Sequence, residues 1–158
     1  MNNVPEDRRR WRRAVVDVQG ALREMNSQLS LLNHHVGVRL ALKDVDLECL
    51  DLIARNGPIS PSALARLAGL HPATMTGVLD RLERDGWVAR ERDQRDRRAV
   101  TIVLRRERGG ELYRLFGGMR AALDDICADL DQEQLTMIAG FLARVAEAGG
   151  REAEALGQ

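Results

Sequence analysis

A mainly helical fold carrying one small β-hairpin is what this sequence predicts, and three observations predict it. Apolar residues recur at three- and four-residue steps over most of the 158 residues. In the stretch ISPSALARLAGLHPATMTGVLDRLERDGWV that period is punctuated by two prolines placed as helix starts and two glycines placed as helix stops. The following WVARERDQRDRRAVTIVL switches to a period of two around a crowded charged turn.

The elements follow in order. A long helix is expected from about residue 8 to 40, because Val15, Val18, Leu22, Met25, Leu29, Leu32 and Val36 share one face. A second begins near Asp44, carries Leu47, Leu50 and Ile53 on one side, and stops at Asn56-Gly57-Pro58. Ser60 and Pro61 read as an N-cap and first-turn proline for a short helix that runs to Ala68 and ends at Gly69. Pro72 opens another, to about Asp85, with Met75, Val78, Leu79 and Leu82 inward and Gly86 as its stop. Trp87 and Val88 start the first hairpin arm, and Val100, Ile102 and Leu104 alternate with Thr101 and Val103 along the second. The helical period returns at Arg105 and continues to about Ala128 through Leu112, Leu115, Phe116, Met119, Leu123 and Ile126. A final helix starts near Asp131, with Leu135, Ile138, Leu142 and Val145.

Two helices joined by a tight glycine-containing turn make a helix-turn-helix, and a hairpin directly after it is a wing. The expected architecture is therefore mainly α with a small β-wing. A winged helix-turn-helix core spans 43–104, an N-terminal helix 8–42 and C-terminal helices 105–150, with 1–7 and 151–158 as flexible ends. The flanking helices carry more apolar face than so small a core can cover, which points to dimerisation through both.

The zero net charge hides an uneven distribution. Residues 66–108 hold 11 Arg and Lys against 7 Asp and Glu, whereas residues 109–158 hold 4 against 9. A polyanion partner would meet the basic middle. Lys43 is the only lysine; coding bias explains that on its own, though the planar guanidinium also suits phosphates and guanine edges. Two cysteines, Cys49 and Cys127, make no disulfide framework and read as buried free thiols. With no signal-like start and no run of apolar residues long enough for a membrane span, a cytoplasmic protein is expected. No nucleophile elbow, phosphate loop or acid pair appears, so neither an enzyme nor a cofactor is expected.

The helix from Pro72 turns Ala73, Thr74, Thr76, Gly77 and Arg81 away from its apolar side. Small and hydroxylated residues near a helix N-terminus allow close approach to double-stranded DNA. In the hairpin turn, Arg98 is the residue expected to enter a minor groove, with Arg95 or Arg97 on phosphates and Asp96 aiming the turn. Asn33-His34-His35 fits no common zinc spacing; His34, His35 and Arg39 are weaker candidates for contact with a small-molecule effector. Neither cysteine has a cationic neighbour fixed by sequence, which argues against thiol sensing.

At LARLAGLHPATMTGVLDRLERDGWVARERDQRDRRAVTIVL, including the wing triplet Asp96-Arg97-Arg98, the chain resembles the MarR family of bacterial transcription regulators, over roughly residues 10–148. The resemblance implies a homodimer that binds pseudo-palindromic operators, usually a repressor released by a small molecule or by thiol oxidation. It places Thr74, Thr76 and Arg81 on recognition-helix contact positions and Arg98 on the wing arginine. Gly77 departs from the long polar residue many members carry there, shifting weight to shape and backbone contacts. The competing reading is a winged helix that no longer binds DNA and docks on another protein.

Overall fold

The computed structural model describes residues 4–92 and 100–157. Seven α-helices and two strands follow one another among them: α1 (Val4–Leu40), α2 (Asp44–Asn56), α3 (Pro61–Leu67), α4 (Pro72–Arg84), β1 (Val88–Arg92), β2 (Val100–Leu104), α5 (Arg106–Leu115), α6 (Gly117–Ala128) and α7 (Gln132–Leu156). The chain divides into two compact units, Met1–Leu47 and Glu48–Gln158, with the boundary inside α2.

In the first unit α1 spans about 55 Å at the usual rise per residue. Of its apolar stripe, Val36 is buried, Val15, Leu22, Leu29 and Leu32 are half-buried, and Val18 and Met25 are exposed. The helix ends in a Schellman motif. The Leu42 amide donates to the Gly37 carbonyl at 2.9 Å and the Ala41 amide to Val38 at 3.3 Å. Ala41 occupies the left-handed position of that motif, with φ of 55°. Gly37 has its own reason: a Cβ there would lie 3.1 Å from the Leu42 carbonyl oxygen. Asp46, itself buried, accepts from the Lys43 amide at 3.3 Å and so helps start α2.

The second unit holds the compact core. Ser60 caps α3 through its hydroxyl, which accepts from the Ala63 amide at 3.2 Å, and Pro61 takes the first helical position. Gly69 (φ 63°) and Gly86 (φ 76°) close α3 and α4 with the same hydrogen-bond pattern as Ala41. At Gly86 the reversal sends Trp87 and Val88 straight back under α4. Met75, Val78, Leu79 and Leu82 are buried against a core that also contains Leu50, Ile53, Leu64, Trp87, Val88 and Ile102. The two strands pair antiparallel, from Val88 opposite Leu104 to Arg92 opposite Val100. Ile59 adds a one-residue bridge on the far side of β2, exchanging hydrogen bonds with Ile102 at 3.2 and 2.7 Å. An isolated residue has no periodicity, so a third strand of this kind leaves no pattern in the sequence.

Three expectations need correction. The single helix expected from Arg105 to Ala128 is two helices, α5 and α6, separated at Phe116 (ψ 2°). Gly117 and Gly118 follow immediately, and glycine is the weakest helix former after proline. The Arg120 guanidinium lies 3.2 Å over the Tyr113 ring and donates to the Tyr113 carbonyl across the break. Within the ends expected to be loose, the described residues 4–7 and 151–156 are helical. α1 starts at Val4, and α7 passes through Gly149 and Gly150 to Leu156. Alanines and glutamates around those glycines, with an Arg151–Glu147 ion pair at 2.7 Å, outweigh their cost. Finally, Cys49 is buried as expected, but Cys127 is only half-buried.

Among the described residues no helix is long and apolar enough to cross a membrane.

A left-handed alanine carries a steric cost of about 1 kcal/mol that glycine does not. Ala41→Gly is therefore expected to stabilise the fold by about 0.5 kcal/mol, net of backbone entropy, and to raise the thermal midpoint by about 1–2 °C. Melting both proteins at equal concentration checks this; a lowered midpoint would show the α1–α2 corner to be unstrained.

Candidate nucleic-acid interface

The geometry starts at the N-terminus of α4. The His71 ring accepts from the Ala73 amide at 3.3 Å, Pro72 occupies the first turn, and the His71 carbonyl accepts from Met75 at 3.0 Å. The helix buries its apolar stripe, so helical spacing turns Ala73, Thr74, Thr76 and Gly77 outward, where all four are exposed. Thr76 donates its hydroxyl to the Pro72 carbonyl at 3.0 Å, which fixes its rotamer against the helix. Arg81, half-buried, reaches back to the Gly77 carbonyl at 3.3 Å. Gly77 meets no internal demand for glycine: a Cβ there would have nothing within 4 Å.

Beside α4 stands the hairpin. Val88 and Ile102 are buried, whereas Arg90, Glu91, Arg92 and Val100 are exposed. Backbone pairing extends to Arg92 and Val100, and the Thr101 hydroxyl donates to the Glu91 carbonyl at 3.4 Å. The turn residues Arg95, Asp96, Arg97 and Arg98 lie outside the described residues.

What the sequence reading missed is the brace between strand and helix. Arg90 shares the face of β1 that buries Val88. From there its guanidinium donates to Asp80 at 2.6 Å and to Glu83, and its backbone amide donates to Glu83 at 3.3 Å. The Arg90 pKa is raised above its ordinary value, first by the hydrogen bond to Asp80; desolvation opposes this, and the charge of Glu83 adds to it. Asp80 and Glu83 are three residues apart on one helical face, a spacing that makes them a natural pair of anchors. That signal is present in the sequence, but four further arginines, Arg92, Arg95, Arg97 and Arg98, crowd the eight residues after Arg90 and mask it.

At the root of the wing, Arg108 stacks 4.1 Å from the centroid of the Trp87 ring, pairs with Glu111 at 2.7 Å and donates to the Asp85 carbonyl. The Arg105 amide donates to the Trp87 carbonyl at 2.9 Å, and its side chain to Val88 at 3.3 Å. These contacts tie the start of α5 to the exit of α4.

The weaker candidates lie in the first unit. His34 meets Asp44 at 3.2 Å across the α1–α2 corner, and its ring centroid is 6.0 Å from that of His35. His34, His35 and Arg39 are all exposed. Among the described residues no group of three or more His, Cys, Asp or Glu is placed to hold a metal ion.

Comparison with known proteins matches this geometry. The MarR family model matches residues 42–100. The HTH-type transcriptional regulator YcgE of Bacillus subtilis is 31% identical over 136 residues, covering 86% of this chain and 88% of that protein. The HTH-type transcriptional repressor YetL, also of Bacillus subtilis, is 26% identical over 129 residues, covering 80% of this chain and 77% of its own length. Among solved structures, the transcriptional regulator Tm0710 of Thermotoga maritima superposes with a TM-score of 0.61 at 26% identity, over 86% of this chain and 96% of that one. With a helix-turn-helix, a paired wing and a relative 31% identical over 86% of its length, the chain belongs to the MarR family of winged helix-turn-helix transcription regulators.

Proposed function

We propose that this chain is a homodimeric repressor that binds a pseudo-palindromic operator and is released by a small-molecule effector. The observation that carries the reading is the pairing of an exposed, short-residue α4 face with a rigidly hydrogen-bonded hairpin whose connecting turn is rich in arginine. In a dimer two such helices enter successive major grooves about one helical turn apart. Thr74, Thr76 and Arg81 contact base edges and phosphates, with Ala73 and Gly77 allowing close approach. Arg98 enters the flanking minor groove, whose negative potential attracts a guanidinium, while Arg95 and Arg97 contact phosphates and Asp96 holds the turn.

Dimerisation draws its support from apolar faces left in water. On α7, Ile138, Phe141, Leu142 and Val145 follow the helical period and are all exposed, as are Met119, Leu123 and Ile126 on α6. Burying what remains exposed of each such side chain stabilises an assembly by about 1 kcal/mol, and the row of them by several, more than a lone domain of this size would leave unused. The effector component rests on the family likeness alone, with His34, His35 and Arg39 as its candidate contacts.

Titrating genomic fragments from the gene's own upstream region at several salt concentrations tests the central reading. Affinity is expected to fall log-linearly with salt, at a slope near −0.9 per phosphate contact; a flat response would favour a protein-docking module instead. Arg98→Ala is expected to weaken operator binding more than tenfold while sedimentation still shows a dimer. Leu142→Glu, by contrast, is expected to shift the sedimentation profile to monomer and to abolish high-affinity binding with it. A dimer that survives this charge would place the subunit interface elsewhere.

A further inference from the structure

Five arginines crowd into nine positions from Arg90 to Arg98, and their proximity to the recognition helix suggests that all serve one polyanion. The structure separates one of them. Arg90 is turned inward along the hairpin, its side chain 33% exposed, with its fork divided between Asp80 and Glu83. Asp80 lies three residues beyond Gly77 and four beyond Thr76, so helical spacing puts it beside the outward face of α4. Carboxylates at that place oppose a phosphate backbone. Their presence needs a reason other than DNA contact.

We propose that Arg90 is a positioning residue for DNA recognition: its guanidinium, forked between Asp80 and Glu83, fixes the wing against α4 and offsets two carboxylates beside the face that meets DNA. The inference rests on the DNA-binding reading above and adds a division of labour to it. Arg90 sets where the wing's remaining arginines go and does not itself contact phosphate.

The physical argument is one of preorganisation. A two-stranded ribbon is marginal by itself, and its tip lies several residues beyond the buried pair of Val88 and Ile102. Sequence-specific binding requires helix and wing to engage adjacent grooves together, so freedom of the wing relative to α4 must be lost on binding. Non-specific binding tolerates many wing orientations and responds mainly to total charge. A lysine cannot replace the fork, because one ammonium cannot present two diverging N–H groups in a fixed plane to two carboxylates.

This makes a test whose sign separates positioning from charge. Asp80 is 60% exposed, so Asp80→Asn keeps the fold, and Glu83→Gln is its companion. Removing a negative charge near a polyanion should tighten DNA binding if charge alone matters. The clamp demands the reverse for specific DNA. The probes are a duplex enriched by the wild-type chain from a random-sequence pool and the same duplex with its sequence scrambled. Each variant is expected to bind the enriched duplex at least fivefold more weakly, and the scrambled duplex as tightly as wild type or tighter. Arg90→Lys, which keeps the charge, is expected to lose a similar factor on the enriched duplex with an unchanged salt slope. Tightening of both duplexes by Asp80→Asn and Glu83→Gln, with Arg90→Lys equal to wild type, overturns the proposal. A wild-type chain that enriches no sequence overturns the DNA-binding reading itself, so the two failures are distinct.

Discussion

The reversal at Gly86 is the constraint on which the DNA-binding unit depends. A left-handed residue at the end of α4 lets the Trp87 amide donate to the Leu82 carbonyl at 2.8 Å and drives Trp87 and Val88 back beneath the helix they have just left. Both are buried, and both touch the same core as the inward stripe of α4. From that point the direction of β1 is set, β2 must pair with it, and Ile102 reaches Ile59 on the other side. One turn of backbone thus couples α4 to the hairpin that stands next to it. Arg90, from the middle of β1, and Arg108, stacked on Trp87 just before it, reinforce the coupling.

Charge is arranged to match. The basic middle of the chain is not uniformly available to a partner, because Arg84 pairs with Asp85, Arg90 with Asp80 and Glu83, and Arg108 with Glu111. Exposed pairs of this kind contribute little to stability individually. Their larger effect is to hold Arg84, Arg90 and Arg108 to the fold rather than leave them for a partner.

The core of the architecture was legible in the sequence because its signals are local. Ser60-Pro61, Pro72, Gly69 and Gly86 mark boundaries through capping and backbone conformation alone, and the spacing of Met75, Val78, Leu79 and Leu82 identifies the buried side of α4, hence the exposed one. Signals that require tertiary context were not legible. The apolar period from Leu112 to Ile126 runs unbroken through Phe116, so periodicity could not reveal that two adjacent glycines interrupt the helix. Ile59 forms a bridge by virtue of a partner more than forty residues away. Nothing local distinguishes Arg90 from the arginines that follow it, because its two anchors sit on a different element. Composition also misled at the C-terminus, where glycine and charge suggested an irregular end and alanine-rich flanks kept the helix going.

Gly77 is a position where the helix surface can change without cost to the interior. The space around it is open, so larger side chains fit there at no internal steric expense, and nearly any of them would strengthen the helix, glycine being about 1 kcal/mol poorer than alanine. Because it faces outward in mid-helix, a side chain added there would change the surface that α4 presents while leaving the buried stripe of the helix untouched.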